Sequence, residues 1–147
     1  MFSGSHSINM DAKGRLAIPA RFREALATAC GGRLVITADF RERCLLVYPE
    51  PEWLEIAEKI NKLPNITKAE RRIQRRVIGN AQEQDMDANG RIVVPPTLRS
   101  FAGLEKKLML VGQGKKLELW SEPLWFEMLD ESDDEEDMSA ELLAITL

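Results

Sequence analysis

The chain holds one histidine, two cysteines and one tyrosine among its 147 residues. That scarcity removes most routes to side-chain catalysis. His6 stands alone near a terminus expected to be loose, so no nucleophile–base pair can be assembled around it. Cys30 and Cys44 lack the spacing of a metal site. Both are expected as reduced, buried or half-buried thiols of a cytosolic protein. No uninterrupted apolar run approaches the length that crosses a membrane. Met1-Phe2-Ser3-Gly4-Ser5-His6 lacks the basic and apolar regions of a secretory signal. The expectation is a cytoplasmic chain with no cofactor, no metal, no membrane partner and no small-molecule substrate.

The net charge of −4 argues against a polyanionic partner until it is mapped along the chain. All 20 Lys and Arg lie within residues 1–126 beside 15 acids, a net of +5. Residues 127–147 hold the other 9 acids and no base. Such asymmetry marks a nucleic-acid binder or an acidic tail. We divide the chain accordingly, with 1–126 as the folded body and 127–147 as an acidic tail expected to be disordered.

What the chain does have is a repeat. Met10-Asp11-Ala12-Lys13-Gly14-Arg15-Leu16-Ala17-Ile18-Pro19 returns as Met86-Asp87-Ala88-Asn89-Gly90-Arg91-Ile92-Val93-Val94-Pro95, 76 residues later. Arg23 and Arg99 extend the match. Asp11 and Asp87 suit the first turn position, where a carboxylate accepts a backbone N–H two residues on. Gly14 and Gly90 can take positive φ. Alternation then puts Leu16 and Ile18, or Ile92 and Val94, on one face, and Arg15 and Arg91 on the other. Proline closes each strand. Glu122-Pro123-Leu124-Trp125 echoes Glu50-Pro51-Glu52-Trp53 at an offset of 72. The repeats therefore run over about 5–53 and 81–125.

Two readings of the matched Asp/Arg pairs stay open on the residues alone. In one, the aspartate fixes the turn and the arginine pairs with it. In the other, each arginine is a guanidinium fork offered to an anion.

The remaining elements follow from pattern. Helices are predicted over 20–29, from Pro51 to about Leu63, from Thr67 to Gly79, and over 96–102. Thr67-Lys68-Ala69-Glu70 reads as a capping box, with Ala69, Ile73 and Val77 as the buried stripe behind it. Arg71, Arg72, Arg75 and Arg76 lie off that stripe. They are the densest basic cluster in the chain and a DNA-binding candidate, set against a solvated face or salt bridges to a neighbouring subunit. Strands are predicted at 8–10, 34–37, 44–48, 83–86, 107–111 and 116–120, the last two joined around Gly112-Gln113-Gly114.

Two copies of Asp-x-x-Gly-Arg, an apolar strand, Pro and an arginine-bearing helix flank Arg71-Arg72-Ile73-Gln74-Arg75-Arg76. In this the chain resembles the MraZ proteins, bacterial transcriptional regulators of the SpoVT–AbrB superfamily, up to about Trp125. The resemblance implies a mixed, β-rich α+β fold. Two intrachain hairpin repeats would make a pseudo-twofold SpoVT–AbrB-like barrel with short helices. It also implies a ring-shaped homo-oligomer, nucleoid association, and sequence-specific binding of double-stranded DNA. The target would be tandem short repeats upstream of the protein's own cell-division and cell-wall cluster, usually for repression. Arg15 and Arg91, with Lys13 and Asn89 at the tips, are then the DNA-binding residues, followed by Arg23 and Arg99. Asp11, Gly14, Asp87 and Gly90 form the turns. The second copy is less basic, with Asn89 for Lys13 and Thr97 for Arg21.

Two rivals remain. One is an antitoxin-like protein-interaction module served by the tail and the arginine helix. The other is a barrel enzyme using Asp11 and Asp87 as a dyad. Arginine four residues after each aspartate is a poor setting for a shared proton, so no catalytic residue is expected.

Overall fold

A computed structural model describes residues 1–146. Its order is β1 (Phe2–Asn9), β2 (Arg15–Ala17), α1 (Ala20–Cys30), β3 (Arg33–Ala38), β4 (Leu45–Pro49), α2 (Glu50–Asn61) and α3 (Lys68–Ile73). A π-helical turn, Gln74–Ile78, follows. The second half holds β5 (Gln82–Asp85), β6 (Arg91–Val93), α4 (Pro96–Ala102), β7 (Lys107–Gly114), β8 (Lys116–Ser121) and α5 (Glu122–Leu129). A 3-10 turn, Glu135–Asp137, and α6 (Ala140–Leu143) complete it. The last body helix thus ends at Leu129, and the acidic segment begins after it.

The fold is mixed α+β, and the strands form two units. One is a six-stranded antiparallel sheet in the order β1-β7-β8-β4-β3-β5; the other is a two-stranded ribbon of β2 and β6. These ladders leave the sheet open, with β1 and β5 at its edges. Each repeat lends its first strand to the other: β1 pairs with β7, and β5 with β3. The remaining ladders run between counterparts. Leu16 faces Ile92 in the ribbon and Leu46 faces Glu118 between β4 and β8. A pseudo-twofold axis therefore passes through both ladders, at the offsets of 76 and 72 visible in the repeat.

Alternation sorts the apolar residues onto two faces. The inner face carries Leu34, Ile36, Leu45, Val47, Leu108, Leu110, Leu117 and Leu119, with Leu16, Ile18, Phe22, Ile92, Val94 and Leu98 packed against them. The ribbon, α1 and α4 thus sit on the inner side. The outer face splits. Val35, Leu46 and Tyr48 pack with Trp53, Ile60 and Val77 of the α2–α3 region, while Cys44, Met109 and Trp120 pack with Trp125 of α5.

Three expectations are corrected. The N-terminus is not loose: β1 starts at Phe2 and pairs residue by residue with β7. His6 lies edge-on to Phe22, with ring centroids 4.9 Å apart. Its partner strand comes from the other repeat, so local sequence carried no sign of it. The β7–β8 loop is tighter than predicted. Gln113 pairs with Lys116, leaving only Gly114 and Lys115 to turn, with Gly114 at φ 78°. The arginine helix is not one continuous α-helix, and Ala69 is exposed. Its capping box forms as expected, with Thr67 and Glu70 satisfying each other's backbone N–H. The π turn then rotates the face, burying Val77 and freeing its carbonyl. The buried hydroxyl of Thr37 donates to that carbonyl at 2.6 Å.

Candidate nucleic-acid interface

The site is built from the two turns. In the first, Asp11 Oδ1 accepts from the N–H groups of Lys13 and Arg15, both at 2.9 Å. Its other oxygen accepts from Arg15 Nε at 2.7 Å. In the second, Asp87 Oδ1 accepts from Asn89 and Arg91 N–H at 2.9 and 2.8 Å, and Oδ2 accepts from Arg91 Nε at 3.0 Å. The backbone N–H of Arg15 or Arg91 is the main cause holding each carboxyl below the ordinary aspartate range, followed by desolvation opposing it at Asp87 and by the guanidinium at Asp11. Both carboxylates are therefore ionised at neutral pH.

Each guanidinium is gripped through Nε alone. Among the described residues no acceptor engages the Nη groups of Arg15 or Arg91. Each side chain remains 45% exposed. The outward edge of an oriented fork is thus free, the edge that meets a phosphate or the O6 and N7 of guanine. The structure shows the pairing of the first reading, aspartate with arginine through Nε, and leaves the Nη edge of each guanidinium unengaged among the described residues.

The ribbon sets the two forks side by side. Arg15 faces Val93 and Ala17 faces Arg91, so all four share one face and all four are exposed. Leu16 and Ile92, on the other face, are 2% exposed. Diagonal neighbours in such a ladder lie about 7–8 Å apart. Beyond each end, Ile18 N–H donates to Gly90 O and Val94 N–H to Gly14 O, both at 2.8 Å. Each turn is thereby tied to the strand of the other repeat. Pairing of β2 with β6 was missed in the sequence, because alternation reports a face and not a partner.

Lys13 and Asn89 are exposed at the tips. Arg23 and Arg99 are half-buried beneath the turns of the opposite repeats. Arg99 Nη1 donates to Ala12 O at 3.3 Å. Arg23 donates to Ile18 O from Nε and Nη2, at 3.3 and 3.1 Å. Gly14 and Gly90 have φ of 84° and 74°. A Cβ at Gly14 would stand 2.6 Å from Val94 O and 3.1 Å from the Arg99 guanidinium; at Gly90 it would collide with Arg23. The glycines serve the approach of these arginines as much as the turn. In the second repeat the Gln84 side chain bonds both N–H and C=O of Val93, each at 2.8 Å, and so covers the outer edge of β6.

Fold and site define a duplicated α+β protein whose halves present paired arginines from one shared two-stranded ribbon. A family model described as "MraZ protein, putative antitoxin-like" matches twice, over residues 1–76 and 77–144. Curated proteins named "Transcriptional regulator MraZ" are similar over nearly the whole chain. That of Saccharophagus degradans is 56% identical, with all of both chains covered. That of Marinobacter nauticus is 58% identical over 99% of this chain and 98% of its own. One from Coxiella burnetii is 53% identical over 85% of this chain and 82% of its own. This chain belongs to the MraZ family.

Proposed function

We propose that this protein is a transcription regulator that binds double-stranded DNA sequence-specifically through the β2–β6 ribbon. One observation carries the reading: two arginines, each held by an aspartate at its rear, share the exposed face of a two-stranded ribbon. A major groove about 12 Å wide admits such a ribbon. The diagonal of about 7–8 Å spans roughly two base-pair steps of 3.4 Å. Arg15 and Arg91 address base edges, Lys13 and Asn89 address the backbone, and Arg23 and Arg99 hold the tips from below. In this reading the ribbon closes the inner face of the sheet as part of the superfamily's barrel.

The names of the relatives support the regulatory role. Tandem short repeats upstream of the protein's own gene are the proposed target. The protein acts as a repressor, in the cytoplasm at the nucleoid. Copies of the chain associate, so that linked weak contacts add as avidity.

A mobility-shift titration on the protein's own upstream DNA tests this. Specific, salt-sensitive binding should be lost in Arg15→Ala and in Arg91→Ala while folding is kept. Specific binding that survives both substitutions sinks it. The exposed Phe126 and Leu129 on α5 favour a second reading, a protein-interaction module, in line with the words "antitoxin-like" in the family description. That reading predicts a partner lost in Phe126→Ser with DNA binding intact.

A further inference from the structure

Lys68, Arg71, Arg72, Arg75 and Arg76 line a cleft of about 400 Å³ on α3 and the π turn. Arg76 has internal work: its Nη1 donates to Phe40 O at 3.1 Å, and its guanidinium lies 5.7 Å from the Phe101 ring centre. The other four are exposed. Among the described residues, none of the five forms an ion pair. Cations three and four positions apart on a helix are neighbours and repel. The face is therefore an uncompensated charge cluster, and binding a polyanion would relieve it.

A duplex seated on the ribbon is a poor fit for that role. The α2–α3 region packs on the outer face of the sheet with Val35, Leu46 and Tyr48, with Arg76 reaching round to Phe101 of α4, whereas the ribbon packs on the inner face with Leu34 and Ile36. The chain carries another polyanion on the outer side. The run Asp130–Asp137 leaves directly from α5, which packs outside with Met109 and Trp120. Its described side chains are exposed and make no ion pair.

The two features lie toward opposite ends of the outer layer. Helix α5 contacts β7 and β8, while the π turn contacts β3, across the order β1-β7-β8-β4-β3-β5. A segment leaving one end and a complement at the other suit a head-to-tail contact between copies. We infer that the arginine face of α3 and the π turn docks the acidic segment Asp130–Asp137 of a second copy of this chain. The contact rests on the self-association proposed above and names its charged part.

The test uses the full chain. Carbodiimide joins Lys68 to a carboxylate held against it, and a mixture of ¹⁴N- and ¹⁵N-labelled protein separates the sources. Mixed-isotope links between Lys68 and segment 130–137 are the expected product. Isotopically pure links would place the segment on its own chain and overturn the inference. Sedimentation equilibrium supplies the second arm. One variant carries Asp133→Asn, Asp134→Asn, Glu136→Gln and Asp137→Asn; another carries Arg71→Gln, Arg72→Gln and Arg75→Gln. Each should weaken association about tenfold at low salt, a gap that closes toward roughly 0.5 M. Association unchanged in both variants, with no link at Lys68, overturns this contact while self-association stands. A wild-type chain that stays monomeric overturns both. An arginine variant that binds DNA as poorly as Arg15→Ala, yet associates normally, reassigns the face to duplex and also overturns it.

Discussion

Arg23, a residue of the first repeat, lies directly beneath Gly90, a turn residue of the second. The contact is so close that glycine is the only residue whose side chain leaves room. Arg99 lies beneath Gly14 across the pseudo-twofold axis, 3.1 Å from where a Cβ would stand, and there Val94 O is the closer neighbour at 2.6 Å. Neither turn is supported by its own repeat alone, so the two tips should stand or fall together.

Gly90→Ala tests that coupling. Alanine at positive φ costs about 1–2 kcal/mol, and displacing Arg23 adds to it. A loss of roughly 2 kcal/mol or more in urea unfolding is expected. Gly103→Ala is the control, since its φ is 63° but a Cβ there meets nothing. It should cost less. Backbone resonances near Gly14 should shift in Gly90→Ala as well, through the Ile18–Gly90 and Val94–Gly14 bonds.

Asp11→Asn separates turn formation from arginine presentation. An amide oxygen still accepts from the N–H groups of Lys13 and Arg15, but its charge is gone and Arg15 is released. Thermal stability should fall only by the modest contribution of the Asp11 charge, the same part that acid removes, while affinity for specific DNA falls about tenfold, near the lower end of the ~1–3 kcal/mol of a bidentate base contact. Titration of both proteins against the same operator, with melting curves alongside, gives the comparison. A stability loss matching the affinity loss would make the pair merely structural.

Lys13→Ala should act differently. A phosphate contact carries no sequence information. Affinity should drop for specific and random DNA alike, and the slope of log K against log salt should become shallower by about 1. Asn89→Ala should leave that slope nearly unchanged.

Acid should loosen the tips in a defined window. Asp11 and Asp87 are held below the ordinary aspartate range, chiefly by the Arg15 and Arg91 backbone N–H groups. A depressed folded value means that their contribution is complete above the unfolded value of about 3.9 and decays as pH falls through the lower folded one. Urea midpoints should show this loss below about pH 4, and the Asp11→Asn, Asp87→Asn double variant should lack that part of it.

Thr37→Val probes the π turn. The substitution keeps shape but removes the 2.6 Å bond to Val77 O inside a buried site. A loss of about 1–2 kcal/mol is expected. Thr37→Ser, which retains the hydroxyl, should recover part of it.

Much of the site was legible because its determinants are short-range. Asp at the first turn position, Gly at positive φ and Arg four places after Asp all act within five residues. The Thr67 capping box and the helices after Pro19 and Pro95 were legible for the same reason. The strand at Phe2, the tight Gly114-Lys115 loop and the π turn were not. The first and last depend on a partner distant in the chain, β7 for β1 and Thr37 beneath Val77, and β7 runs on to Gly114 because Phe2 and Ser3 of β1 pair with Gly114 and Gln113.

The amino-acid order by itself determined that the turn occurs twice and which face of each strand its arginine takes. It also determined that the acids collect beyond the body. Only the tertiary structure decided that β2 would pair with β6, bringing the two arginines onto one face, and that Arg23 and Arg99 would cross under the opposite turns. The physical reason is the nature of strand pairing. Alternation dictates inside and outside, but backbone hydrogen bonds are the same for every partner, so the choice falls to the packing of Leu16, Ile18, Ile92 and Val94 in one shared core.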